Sequence, residues 1–175
     1  MTQKTFWNHI KSKIKSFSSN QYLEIISELY KLNKENKNFL ESRYLYENTN
    51  RIKPYKEIIE ESLFPDVMRG HNISLKTGKK AISDYKKATK DEFGTIELML
   101  FYVECGHKFT SEYGDMYESF YNSLISVFDN IIELLKKHPE HKNAFYDRIQ
   151  KIANESRDFG WGYDEMHDLF TEADL

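Results

Sequence analysis

A chain of 175 residues with a formal net charge of −3 and a pI near 6.1 has room for one hydrophobic core. That balance excludes general attraction to nucleic acid or to an anionic membrane, so either would have to bind a local patch. One cysteine, Cys105, excludes an internal disulfide and a cysteine-based zinc site within one chain, and fits a reducing cytoplasm.

The N-terminus places Phe6, Ile10, Ile14 and Phe17 at helical spacing, with four lysines and no acid in the first twenty residues. The spacing predicts a basic amphipathic helix over 3–17. It is either an arm for an anionic surface or partner groove, or a terminal helix docked by its apolar stripe. Ser18 and Gln21 fit a capping box opening a second helix, whose Tyr22, Ile25, Ile26, Leu29 and Leu32 form a core stripe. Asn33, Asn36 and Asn38 interrupt the pattern, and FLESRYLY supplies a third helix with Phe39, Leu40 and Tyr44 expected inward. Arg43 beside that stripe is expected to cover apolar surface, the sharper reading being an anchor for a carboxylate.

Pro54 suits a helix start, and Tyr55, Ile58, Ile59 and Leu63 follow until Pro65 stops the run. After a connection hinged on Gly70, Ser74 offers a cap for a helix through about Thr89, where Gly78 marks a close crossing. This helix and its end carry Lys76, Lys79, Lys80, Lys86, Lys87 and Lys90 against Asp84, a formal +5. The patch reads as a solvated face or as a track for a nucleic-acid backbone.

Residues 94–113, GTIELMLFYVECGHKFTSEY, are apolar around most of a helix and predict the central element. Leu98–Val103, the longest uninterrupted apolar run, is far short of the roughly 20 residues of a membrane helix. Glu97, Glu104, Lys108 and Ser111 share one narrow seam, either a wet edge or an internal polar strip. Glu104 with His107 is a Glu-x-x-His, and Glu97 lies on the same face. Together they form a candidate metal or catalytic set, but the second Glu-x-x-His that a di-iron bundle needs has only a weaker analogue in Asp164 and His167. An i,i+4 pairing of Glu104 with Lys108 explains the carboxylate without a metal. Cys105 reads as a packed residue.

Gly114 ends this helix, and Asp115 with Glu118 fits another capping box. Phe120, Leu124, Val127, Phe128, Ile131 and Leu135 then define a long helix. Past Pro139 a more polar helix carries Phe145, Ile149 and Ile152 inward and is expected at the outside of the stack. His138 and His141 flank that proline as a pair without a nearby third ligand. From 154 to 175 seven acids face one arginine, and Trp161 sits between two glycines. Trp161, Tyr163 and Phe170 form a candidate docking element or lid, or fold back onto the core.

SDYKKATKDEFGTIELMLFYVECGHKFTSEYGDMYESFYNSL, with LYKLNKENKNFLESRY, PYKEIIEESLFPDV and DFGWGYDEMHDLF, resembles a family of uncharacterised bacterial proteins of unknown function, entirely helical. The resemblance covers about Gln21 to Phe170 and leaves the basic N-terminal helix outside. It implies a helical bacterial protein and carries over no catalytic residue.

The expectation is therefore an all-α chain forming one domain over 1–175. It is an irregular array of about eight helices around the central one, built as a bundle or as an α-solenoid-like stack of helix pairs. Functionally it reads as a cytoplasmic module for a protein partner, with no membrane partner and no cofactor implied. Nucleic acid bound through the lysine-rich helix, an enzyme using the central seam, and homo-oligomerisation are the competing expectations.

Overall fold

Twenty-two residues from Glu92 to Tyr113 form the helix about which the others are placed. In a computed structural model, which describes residues 3–45 and 51–173 and side chains from Phe6 onward, it is α6 of nine α-helices, and no strand occurs among the described residues. Before it come α1 (Gln3–Ile14), α2 (Ser19–Leu32), α3 (Lys34–Tyr44), α4 (Lys53–Leu63) and α5 (Leu75–Thr89); after it come α7 (Glu118–Lys137), α8 (Lys142–Glu155) and α9 (Glu165–Glu172). Tyr46, at the end of the expected third helix, Asp174 and Leu175 of the acidic segment, and the Lys4 side chain lie outside the described residues.

α6 is central because it has little polar surface to show. Ile96, Leu98, Leu100, Tyr102 and Val103 are fully buried, and α4, α5, α7 and α8 all pack on it. At about 1.5–3 kcal/mol for each large apolar side chain removed from water, this helix supplies a large part of the folding free energy. α4 and α5 form one flank and α7 the other. α9 closes over α7 and α8, while α3 lies on α5 and α2 lies on α3. The arrangement is all-helical, as expected, and fits a bundle or a stack of helices.

Local signals fix several boundaries. The Ser18–Gln21 capping box forms, Ser74 caps α5 and Asp91 caps α6. Gly78 sits at a close crossing: a Cβ there would lie 2.5 Å from Leu63 Cδ1 and 2.8 Å from a ring carbon of Tyr102. Gly70, at φ 76°, provides the left-handed turn between α4 and α5.

Other expectations are corrected. Asp115 and Glu118 do not form a capping box. Tyr117 is the N-cap of α7 without a side-chain bond, and Asp115 instead accepts from the Tyr121 hydroxyl at 3.2 Å. Asn33 ends α2 as expected, but it also starts α3, accepting from the Asn36 amide at 2.7 Å, so Asn36 and Asn38 lie inside the third helix. α3 turns Asn38 and Ser42 inward while Phe39 and Tyr44 face solvent, because this peripheral helix approaches α5 through small and polar side chains. Among the described residues Arg43 anchors no carboxylate; its guanidinium lies over the Phe39 and Tyr44 rings, at 6.0 and 5.8 Å, and its Nη1 donates to the Ala88 carbonyl at 3.1 Å, closing the end of α5.

The basic helix ends at Ile14 rather than Phe17 and is not docked by its stripe, since Phe6 and Ile10 are exposed. The acidic segment is no free tail: α9 packs on α7 and α8, with Tyr163 and Met166 fully buried.

The Gly78 crossing generates a test. Alanine has about 1 kcal/mol better helix propensity than glycine, but here its methyl group meets two fully buried side chains, and overpacking costs about 1–3 kcal/mol. Gly78→Ala is expected to lower the thermal midpoint by a few degrees; a raised midpoint would refute the close crossing.

Candidate functional site

The seam of α6 is an internal polar strip. Glu97 and Glu104 point toward α8, where Arg148 brackets them both. Its Nε and Nη2 bind the two oxygens of Glu104, each at 2.7 Å, and its Nη1 binds Glu97 Oε2 at 2.5 Å. From the other side Lys56 of α4 reaches Glu97 Oε1 at 2.6 Å, with its ammonium 4.9 Å from the centre of the Phe101 ring. Burial pushes the Glu97 carboxyl up, and hydrogen bonds from Arg148 and Lys56 outweigh it, holding the group below the usual carboxylate range. Arg148 is driven further toward its charged form by Glu104 and, in smaller part, Glu97.

Glu104 therefore pairs with Arg148 and not with Lys108. Lys108 lies over the Phe64 ring at 4.0 Å and approaches Glu112 at 3.8 Å. Arg148 was missed in the sequence because its helix read as a polar outer one. Its position beside Phe145 and Ile152 on the helical wheel was the signal available.

One turn further along α6, His107 is mostly buried. A neutral ring protonated on Nε2 satisfies both neighbours, donating to Glu155 Oε2 at 3.1 Å and accepting at Nδ1 from the Tyr163 hydroxyl at 3.4 Å. The ring also stacks on Tyr163 at 6.0 Å and meets Phe159 edge-on at 5.3 Å. Burial lowers its pKa from 6.5 against the opposing pull of Glu155. Glu97 and Glu104 are thus occupied by cations, and His107 by Glu155 and Tyr163. Among the described residues no group of three or more His, Cys, Asp or Glu side chains is placed to hold a metal ion. Cys105 is buried, its thiol pushed up to about 12 by that burial, which suits packing and not attack. His138 and His141 stack on one another at 6.0 Å, both approached by Glu140.

The lysine face of α5 is exposed, and half of it already has acidic neighbours. Lys80 meets Asp84 at 2.7 Å and Glu35 at 3.5 Å, Lys86 meets Glu92 at 3.7 Å, and Lys87 meets Asp84 at 4.0 Å. Lys76, Lys79 and Lys90 share its solvent side. Of the aromatic trio near the C-terminus, Tyr163 is 0% exposed and Phe170 packs on Tyr146 at 5.6 Å. Trp161 stands out at 57% exposure in a left-handed turn, φ 60°.

The largest apolar surface lies elsewhere. Sixteen large hydrophobic side chains are exposed among the described residues, and eleven of them precede residue 46. Phe6, Trp7 and Ile10 lie on α1, and Tyr22, Leu23, Ile26, Leu29 and Leu32 on α2. α2 packs on α3 yet buries no residue fully, and α1 makes no extended contact with any described helix. Its apolar arc is about 100° wide, with Lys11 and Lys13 on opposite flanks. The sequence showed this stripe; that no described helix packs along it is what the structure adds.

The chain belongs to a family of unknown function, DUF6155, which matches residues 6–172 and so takes in nearly all of the basic helix that the sequence resemblance left outside. No curated protein and no solved structure matches the chain.

Two outcomes follow from the seam. Arg148→Met leaves Glu104 without its bidentate partner in a half-buried setting, an expected loss of about 1–3 kcal/mol after allowing for solvent screening, or roughly 3–10 °C in thermal midpoint. Lys151→Met on the same helix is expected to shift it by less than about 1 °C, and equal effects from the two would mean that the network adds nothing. For His107, a folded pKa below the unfolded 6.5 means that stability is complete above pH 6.5 and is lost as the pH falls through the folded value. Thermal midpoints between pH 7.5 and 5 are expected to show that decline in the wild type and a smaller one in His107→Gln.

Proposed function

We propose that this member of the family is a cytoplasmic interaction module whose α1–α2 arm docks a protein partner, with α4–α9 as the rigid body that holds the arm out. The observation that carries the reading is α1 itself. A 12-residue helix is marginal alone in water, and this one presents Phe6, Trp7 and Ile10 to solvent with no described helix along it. A contiguous apolar surface of that kind is the mark of a protein contact. The seam of α6 supports bracing and not turnover, because its carboxylates are neutralised by Arg148 and Lys56. The lysine face supports a nucleic-acid reading less well, since three of its six cations already face carboxylates.

No described helix is long and apolar enough to cross a membrane. The buried, unreactive Cys105 agrees with a reducing compartment.

The test is affinity capture from the native cell with tagged wild type and with a tagged Ile10→Asp/Ile26→Asp variant. Both substituted side chains are exposed, so the body is expected to keep its thermal midpoint within about 2 °C. A protein retained by the wild type, the untagged chromosomal copy included, and lost from the variant is the expected result. Equal recovery by both baits overturns the reading.

A further inference from the structure

A cleft of about 540 Å³ lies at the starts of α4 and α6 and takes no residue from α1 or α2. Its size falls within the roughly 300–1,000 Å³ of small-ligand sites. Arg51 and Ile52, at the entry to α4, form part of its wall, and Phe93 and Gly94, in the first turn of α6, form another.

Arg51 is the residue in this cleft that the fold leaves unsatisfied. Its carbonyl accepts from the fully buried Ser42 at 3.5 Å, which ties the backbone to α3. The side chain is half-buried; its Nε is shut off from water and has no hydrogen-bond partner, and the guanidinium enters no ion pair among the described residues. A desolvated donor without an acceptor is rare in a folded protein, and the planar fork of arginine matches a carboxylate. The other charges around the cleft are taken. Glu97 is held by Arg148 and Lys56, and Asp91 accepts from the Gly94 amide at 3.0 Å and from the Tyr85 hydroxyl at 2.6 Å. α4 starts at Ile52 without a side-chain cap, so the positive end of its dipole adds to Arg51.

One unmet positive charge attracts one negative charge. The carboxylates of Asp91 and Glu97 in the same wall oppose a second, which disfavours a phosphate dianion, and a neutral ligand would leave Arg51 as it is. The rest of the lining suits an apolar body. Phe93 is 44% exposed, yet its ring is held from behind by Phe145 at 4.8 Å and His141 at 5.3 Å, and Ile52 lines the same cleft.

The geometry points to a binding site for a small organic monocarboxylate in this cleft, the Arg51 guanidinium taking the carboxylate while Phe93 and Ile52 take the apolar body.

Amide NMR spectra of the full-length chain, titrated with phenylacetate, phenylacetamide and inorganic phosphate at constant ionic strength, test this. Phenylacetate is expected to give saturable shifts centred on residues 51–56 and 91–97, and phenylacetamide to bind at least tenfold more weakly because it brings no charge. Arg51→Met keeps the apolar stem and removes a group that bonds to nothing in the structure, so its thermal midpoint is expected within about 2 °C of the wild type. Its affinity for phenylacetate is expected to fall at least tenfold. No saturable response to phenylacetate, an equal response to phenylacetamide, or undiminished binding by Arg51→Met overturns the inference. Phosphate binding more tightly than phenylacetate overturns it too, since the site would then be one for a dianion. Capture of a protein through the arm is read with Ile10→Asp/Ile26→Asp, whose substitutions lie outside this cleft, so the two readings stand or fall separately.

Discussion

A helix that is apolar on nearly every side has to be covered on every side, and in α6 the two carboxylates of the seam are the points where that rule is hardest to satisfy. Arg148 resolves it. A guanidinium offers donors in a planar fork, so one side chain can take Glu104 with two and reach Glu97 with a third. Lys56 completes Glu97 from the opposite flank, so the strip ties α4, α6 and α8 together. Such networks contribute little net energy compared with apolar packing. What this one does is fix how α8 sits on α6, since any slip of α8 would leave two carboxylates in a poorly hydrated place.

The same logic governs the tyrosines. Tyr85, Tyr102, Tyr121 and Tyr163 are all fully or almost fully buried, and each hydroxyl has a nearby polar group: Asp91 at 2.6 Å, Ser123 at 2.8 Å, Thr110 at 2.6 Å and His107 at 3.4 Å. These hydroxyls lie inside the protein, and each bond joins one element to the next, α5 to the start of α6, α6 to α7, and α6 to the segment before α9. Apolar burial gives the core its strength, and these directional bonds determine which face of each helix meets which.

What could be read in the sequence was whatever a helix announces locally. The apolar wrap of α6, the box at Ser18 and Gln21, the cap at Ser74 and the crossing at Gly78 all depend on residues within a few positions, or on the size of one side chain. Arg148 was not legible in that way, because its partners lie 44 and 51 residues away. α9 was missed because eight residues with several acids resemble a tail, although Met166, Leu169 and Phe170 carry helical spacing. The faces of α3 were misassigned because a peripheral helix packs through Asn38 and Ser42, reversing the usual assumption that the large residues point in. The basic helix was read as amphipathic, with an arm and a docked helix both open, whereas the stripe of α2 was read as core and buries no residue fully. Amphipathicity states that a face wants cover, and not which molecule supplies it.

Both tryptophans of the chain sit at its surface, Trp7 on the arm at 56% exposure and Trp161 in the turn before α9 at 57%. Their indoles are already in water when the protein is folded, so native emission is that of a solvated fluorophore and unfolding the core changes it little. The intrinsic fluorescence of this molecule is instead a reporter of its margins. A blue shift records something settling over α1 or over the turn at 160–162, and the buried tyrosines, not the tryptophans, carry the optical signature of the core.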